Sequence, residues 1–477
     1  MRLNRRFVAV AVLALALGCA TDQPTATYTP NMARSTVDLA ATKNLNQPID
    51  INVLLVGPPT PAQLTELATF GNIQDEMAEL NAVLMRASAG DLPAIQALPY
   101  VLAANPDQER DGSPVDAVAV SNFSDGRNTW NLDAINVTNI QPGPDRTTTF
   151  TGNGVYIGVL DTGLLDSWRI YFPQERIASQ FATAFQGRSP NSNAQPTNIW
   201  EHDQNSHGTH VTSTILGYQI GAATINGVAP RATVIPVKVL NQNGSGWSSA
   251  IARGILYITA LHTGPLAGHP MVINMSLGGG GLDALERAAI DFAIAHGVII
   301  VAAAGNRGNA GMDFPGAYAP VISAGASGWI GEWTPPGNGN WWNNRQVAEP
   351  TVASDFYVAP FSGRARPGQD LDVLAPGSWV VGPFQLNSGN LRPSYFFLGG
   401  TSMATPHIAG IVALMAEKDP ALTASQAESI LEATAIPLPA ASRTIFTPSG
   451  ATTTVSWGAN ATGAGLATAD AALAATP

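Results

Sequence analysis

Cysteine is almost missing from this chain: one of its 477 residues is a cysteine, Cys19. No intrachain disulfide can form, so stability has to come from a buried core and any ions it holds. Charge is scarce as well. Asp, Glu, Lys and Arg together make up 12% of the residues, about half the share in ordinary soluble domains. Basic residues are outnumbered 23 to 34, and the net charge of -11 offers no cationic face for nucleic-acid phosphates, which excludes that class of partner. No stretch reaches the ~18 uninterrupted apolar residues of a spanning helix, and there are no internal repeats. What remains is a 45% apolar chain with 47 glycines and 35 prolines. That is the composition of a loop-rich globular protein of two or three domains, typical of an exported enzyme.

The N-terminus carries Arg2, Arg5 and Arg6 ahead of an apolar run from Phe7 to Leu17. This reads as a signal peptide over residues 1–19. Ala16-Leu17-Gly18-Cys19 is similar to a bacterial lipobox, in which the cysteine is lipidated; the competing reading is ordinary cleavage after Ala20. The expected location is extracytoplasmic, either secreted or lipid-anchored at the bacterial cell surface or periplasm, with any membrane contact through that anchor. Residues 20–48 read as a flexible tether. Strand-like 51–56, helix-like 61–70, strand-like 81–88, helix-like 91–98 and strand-like 100–104 then predict a small α+β domain over 49–108. A polar linker, 109–129, leads into a domain over 130–474. There, Val/Ile/Leu-rich runs at 154–160, 233–240, 271–275, 298–304 and 321–324 alternate with helix-length segments. Strands apolar on both faces predict a mostly parallel sheet with helices on each side, and active sites in such folds lie at the carboxyl ends of the strands.

Three segments place a reactive side chain at such an end. Val155 to Gly163 (VYIGVLDTG) is an apolar strand ending on Asp161, which needs hydrogen-bond donors if buried; a helix cap or turn would also explain it. Asn205 to Val211 (NSHGTHV) sets His207 uncrowded at a helix start, suited to general-base work. A metal site through His202, His207 and His210 competes, without the intervening Glu or the cysteines such sites use. Gly399 to His407 (GGTSMATPH) puts Ser402 at a helix N-terminus, whose positive end favours developing negative charge; a plain helix cap would look the same.

Taken together and in this order, DTG, HGTH and GTSMATPHIAG resemble the three active-site boxes of the subtilases, the subtilisin-like serine proteases. The order Asp, His, Ser is the subtilisin order. The resemblance spans residues 130 to 473 and implies a subtilisin-like three-layer α/β fold and peptide-bond hydrolysis through an acyl-enzyme. It implies that Asp161 orients His207, that His207 is the general base and that Ser402 is the nucleophile. Asn306, after the run Val301 to Gly305, resembles the oxyanion-hole residue acting with the Ser402 N–H. Ser276, Leu277, Gly278 and Gly279 resemble one wall of the substrate cleft, and Ala302, Ala303, Ala304 and Gly305 the other. Gly244, Ser245 and Gly246 resemble the edge that adds a second strand to an extended peptide. These walls show no acid at the pocket base, from which a broad or large-apolar P1 preference is expected. Residues 49–108 resemble the subtilisin-type propeptide, a chaperone and inhibitor, with a ferredoxin-like α+β fold; the implied partners are protein or peptide substrates and this propeptide. Maturation is expected somewhere in 105–128. No cofactor is needed for the chemistry, and a structural calcium ion is an expectation of the resemblance with its ligands unknown.

Two departures stand out. Val211-Thr-Ser-Thr214 is polar where relatives carry Ala-Gly. The 327–361 segment is long and contains Trp329, Trp333, Trp341 and Trp342, which reads as a surface loop pinned by aromatics or as an extended substrate contact.

Overall fold

The computed structural model describes residues 45–120, 129–139, 146–185, 199–221, 223–334, 347–385 and 394–477. Cys19, Trp341 and Trp342 lie outside them, and so does the expected signal peptide.

Residues 48–106 form a sheet of four antiparallel strands in the order β2-β3-β1-β4. The strands are β1 (Pro48–Leu55), β2 (Gly71–Met77), β3 (Ala82–Ser88) and β4 (Val101–Pro106), with helices α1 (Pro61–Leu67) and α2 (Leu92–Gln96). Alternating apolar residues of β1 and β3, including Ile51, Val53, Val83 and Met85, bury with Leu67, Leu92 and Ile95 in a core of their own. A Thr60/Gln63 capping box starts α1, satisfying end donors that the helix cannot pair. Strand β2 was not expected. Its GNIQDEM sequence buries only Gln74 and Met77, so it carries no apolar alternation to read.

The supposed linker is not a linker throughout. Two short strands, β5 (Glu109–Asp111) and β6 (Asp116–Ala119), lie within it. Each is paired to the following domain, β5 with β12 (Ser245–Trp247) and β6 with β19 (Tyr395–Gly399). Charged residues such as Glu109-Arg110-Asp111 have no intrinsic strand pattern; partner edges impose it.

In the second domain, β7 (Tyr156–Asp161), β8 (Thr183–Ala184), β11 (Thr233–Lys238), β13 (Met271–Met275), β14 (Ile299–Ala303), β15 (Ile322–Trp329), β16 (Phe356–Val358) and β17 (Val373–Pro376) form the central sheet. Its order is β16-β15-β14-β13-β7-β11-β8, with β17 beside β15, and only β16 runs antiparallel. This is the expected three-layer arrangement. Ile157 and Val159 join the main core with α4 (His207–Leu216) and α7 (Thr401–Lys418). Gly158 and Leu160 turn instead to α5 (Ser248–Thr263), whose Ile258 and Gly254 they meet; α6 (Ala284–Ala295) packs beside it. Short α3 (Trp130–Ala134) is fully buried. The hairpins β9 (Tyr218–Ile220) with β10 (Ala223–Ile225) and β20 (Ala441–Phe446) with β21 (Thr452–Trp457), the strand β18 (Val380–Pro383) beside β19, and helices α8 (Ala424–Thr434) and α9 (Ala469–Ala475) complete the domain. No helix among the described residues is long and apolar enough to cross a membrane.

The two domains meet through polar groups that finish helix ends. Asp107 accepts from Ser249 N–H and from the Ser248 and Ser249 hydroxyls at the start of α5. Asn105 accepts from Ala284 N–H and donates to Asp283, the cap of α6. Free helix N–H groups and the positive helix end favour acceptors there. Burial, and then the nearby Asp283, push the Asp107 carboxyl up to about 6. Arg110 and Glu286, both without exposed side-chain surface, form an ion pair; removing one partner of such a pair costs about 3–5 kcal/mol because the other charge is left stranded.

Candidate active site

Asp161 is the last residue of β7 and is fully buried. Its Oδ1 accepts from the Thr162 N–H at 2.7 Å and from His207 Nδ1 at 2.8 Å, and its Oδ2 lies 3.0 Å from the same nitrogen. His207 is the first residue of α4. Ser206 before it adopts a left-handed φ of 75°, held by its N–H to Asp203. Gly208 is dictated by packing: a methyl group there would lie 2.3 Å from the Gly163 carbonyl oxygen, so any side chain would push α4 away from Asp161.

Ser402 is the second residue of α7, beyond β19 and Gly400. Its hydroxyl donates to the Ser276 carbonyl at 3.1 Å, while His207 Nε2 has no hydrogen-bond partner. The nucleophile-to-base hydrogen bond is therefore not made in this state. Asn306 Oδ1 accepts from Thr401 N–H and Oγ1. That fixes the amide so that its Nδ2 is the free donor, next to the N-terminal turn of α7. β7, α4, β14 and α7 thus bring the four motif residues together.

The segments expected to edge the cleft are paired with a stretch of this same chain. Asp111 exchanges two backbone hydrogen bonds with Gly278, at 2.9 and 3.0 Å. Arg110 pairs with Gly246, and Gly112 N–H donates to Gly244 O at 3.0 Å. Residues 109–112 form the middle strand between the edges 244–247 and 278–279, as an extended peptide substrate would.

The Subtilase family profile matches residues 152–465, two thirds of the chain. The chain belongs to the subtilase family. It is similar to subtilisin DY of Bacillus licheniformis, 34% identical over 290 residues, which are 60% of this chain and 85% of that protein. An extracellular serine proteinase of a Thermus species, strain Rt41A, is 33% identical over 355 residues, 74% of this chain and 70% of its own. Among solved structures, fervidolysin from Fervidobacterium pennivorans superposes over 91% of this chain and 62% of its own, with a TM-score of 0.61 at 23% identity, a likeness of fold. This subtilase is accordingly a subtilisin-like serine endopeptidase, and subtilases need no cofactor for their chemistry.

Several residues of this subtilase's site escape a motif reading. Asp203 takes hydrogen bonds from Thr162 Oγ1, Asn205 N–H and Ser206 N–H. Lys238, buried at the end of β11, donates to the Thr162 carbonyl and lies 4.0 Å from Asp203. Burial pushes Asp203 up and Lys238 down, and each charge opposes the shift of the other. Together they brace the loop that carries Asp161. A lone Lys ending an apolar strand and an Asp four residues before the histidine were the available signals.

His210 and His407 are structural. Burial pushes them down to about 3 and about 4, so both are neutral. His210 Nε2 donates to the Val380 carbonyl, and His202 pairs with Asp166 at the surface. Among the described residues the histidines form no metal-ligand cluster; the one such group is Asp370, Asp372 and Glu428, whose carboxylate oxygens lie within 4.8 Å of one another. Asp372 is fully buried, with Oδ2 bonded to Ser323 and Oδ1 without a partner. Burial pushes its carboxyl up to about 7, and burial with the neighbouring Asp372 does the same to Glu428.

The polar run after Val211 is buried in α4, where Ser213 donates back to the His210 carbonyl. Trp329 stacks on Trp130, and Trp333 packs against Trp379 and Phe397. Both of these tryptophans pin the segment to the core.

One premise of the sequence reading needs correction. An acid lies between the two segments expected to wall the pocket. A methyl group on Gly305 would lie 2.4 Å from Asp313 Oδ2, and one on Gly278 would lie 2.8 Å from Asp313 Cβ. Asp313 therefore sits between the 276–279 and 302–305 walls. Arg307 reaches it at 2.8 Å, with its guanidinium also beside Gly280.

Proposed function

We propose that this subtilase is an exported, self-processing endopeptidase in which Ser402 forms the acyl-enzyme. His207, its Nδ1–H held on Asp161, takes the hydroxyl proton and later returns it to the leaving amine. The N–H of Ser402 and the Nδ2 of Asn306 bind the tetrahedral oxyanion. Residues 49–108 are its inhibitor and folding partner, and residues 109–129 the processing region. The observation that carries this reading is the two-edged pairing of residues 109–112, which lays a peptide beside Asp161, His207 and Ser402 in the manner of a substrate. Export rests on the pattern from Arg2 to Cys19.

One experiment tests activity and location together: labelling of fractionated expressing cells with a serine-directed fluorophosphonate. A labelled species lacking the N-terminal domain is expected outside the cytoplasm. Absence of label sinks the protease reading, and label confined to the cytoplasm sinks export. Label that stays with membranes until Cys19 is replaced by serine identifies a lipid anchor.

The Arg307–Asp313 pair supports a small P1 residue over a large apolar one. A bulky ring would have to push Arg307 aside and cover a carboxylate, and a desolvated, badly paired group costs about 1–3 kcal/mol. Asp313→Gly is expected to raise kcat/KM for a P1-Phe peptide at least ~10-fold relative to its P1-Ala counterpart. A wild type that already favours Phe, with no change in the variant, would restore the broad or apolar preference expected from the walls alone.

Asp370, Asp372 and Glu428 fit a structural calcium ion, because they supply hard oxygen donors and Asp372 Oδ1 is a buried acceptor in need of a cation. Binding at a hundredfold excess over Kd stabilises by about 2.7 kcal/mol. Chelation should therefore lower Tm, calcium should restore it, and Asp372→Asn should remove the response. An identical Tm with and without chelator would rule the site out.

A further inference from the structure

The peptide that crosses the active site has a defined register, and that register puts a proline on the leaving side. Asp111 is bonded in both directions to Gly278, and Gly112 N–H donates to Gly244 O. A methyl group on Gly112 would lie 3.1 Å from the Ser276 carbonyl oxygen and 3.4 Å from His207 Cε1. Two residues on, the Cα of Pro114 lies 3.8 Å from where a methyl group on Gly400 would sit, and Asn306 Nδ2 is 3.7 Å from the same point. Ser113 lies between these two positions, and the geometry points to its carbonyl as the one offered to Ser402 and to the Asn306 amide. The bond in the reactive position is Ser113–Pro114.

That bond is a poor substrate for chemical reasons. Attack of Ser402 Oγ on the Ser113 carbonyl carbon would give a tetrahedral adduct. Its collapse breaks the C–N bond and requires His207 to hand its proton to the departing nitrogen. In proline that nitrogen bears no hydrogen and is tied through Cδ into a ring. Turning its lone pair towards His207 carries the ring into the imidazole. The leaving side is also fastened down: Val115 N–H donates to Gly399 O at 2.7 Å, and β6 pairs with β19 from Asp116 to Ala119. An amine formed there would stay beside the acyl-enzyme and favour resynthesis of the bond.

Building on the protease reading above, we propose that Pro114 makes the pro-segment an uncleavable occupant of its own active site. The precursor remains whole until another enzyme molecule cuts it at a different bond. Activation is then intermolecular, and the segment 109–119 is an inhibitor by register as well as by affinity.

Purified full-length precursor and its Pro114→Ala and Pro114→Gly variants decide this, read by mass spectrometry of the new N-termini and by the concentration dependence of processing. The wild type is expected to give no product beginning at Pro114. Its fractional rate of activation should rise in proportion to protein concentration and respond to a trace of mature enzyme. The variants are expected to cut between residues 113 and 114, at least ~10-fold faster than the wild type is processed and independently of concentration. A wild-type product beginning at Pro114 overturns the proposal. So does failure of both variants to cut at 113–114 while they label with fluorophosphonate after nicking by an added protease. If nothing labels after nicking, the protease reading itself falls, and the proposal with it.

Discussion

Ser402→Ala is expected to abolish processing of the precursor and to reduce peptide hydrolysis by about 10⁶, the loss seen when the nucleophile is removed from subtilisin itself. The size follows from the site. Ser402 enters the helix α7 at its second residue, and its N–H and the Asn306 amide stay in place when the hydroxyl goes. What remains is oxyanion binding and substrate alignment, which alone give a modest rate over water. The fold is not at risk. The lost Oγ makes a single hydrogen bond, to the Ser276 carbonyl, and the rest of the buried α7 face is untouched. Circular dichroism and Tm should match the wild type, while the chain runs at full precursor mass and takes up no fluorophosphonate. A variant that still sheds residues up to the 105–128 region would show that a host protease does the processing.

Asp161→Asn should reduce kcat by about 10⁴ with little change in KM or Tm. Asp161 accepts from His207 Nδ1 at 2.8 Å and from the Thr162 N–H at 2.7 Å. An asparagine of the same shape keeps one carbonyl oxygen for the Thr162 N–H and turns its NH2 towards the imidazole. Nδ1 must then accept, the ring proton moves to Nε2, and the base has no lone pair facing Ser402. A smaller substitution effect with a raised KM would mean that Asp161 merely shapes the loop. The bracing pair Asp203 and Lys238 would then be left to explain how His207 is oriented.

The candidate reactive residues stood out because each sits in a local pattern that chemistry constrains tightly. A strand ending on Asp161, a glycine beside His207 at a helix start and small residues around Ser402 are properties of short segments. The alternating runs at 154–160, 271–275 and 298–304 likewise announced the parallel sheet, since buried strands need apolar residues on both faces. Strand β2 and the strands at 109–111 and 116–119 were not legible. Their residues carry no periodicity, and an edge contributed by a distant part of the chain made them strands. Trp329 and Trp333 could not be told from surface contacts until their ring partners at 130, 379 and 397 were in place.

The sequence by itself determined the family and the layered fold, and it named the candidate reactive residues in their order, because those depend on side-chain chemistry at fixed local spacing. Only the tertiary structure decided what lies around them. Asp313 came to lie between residues 276–279 and 302–305 because its loop folds back against both. Residues 109–112 became a strand between two edges because Asp111 took Gly278, and Gly112 took Gly244, as backbone partners, and the proposed register of Ser113–Pro114 rests on that pairing. Backbone pairing across more than a hundred residues leaves no trace in local composition, since every residue type offers the same carbonyl and all but proline the same N–H.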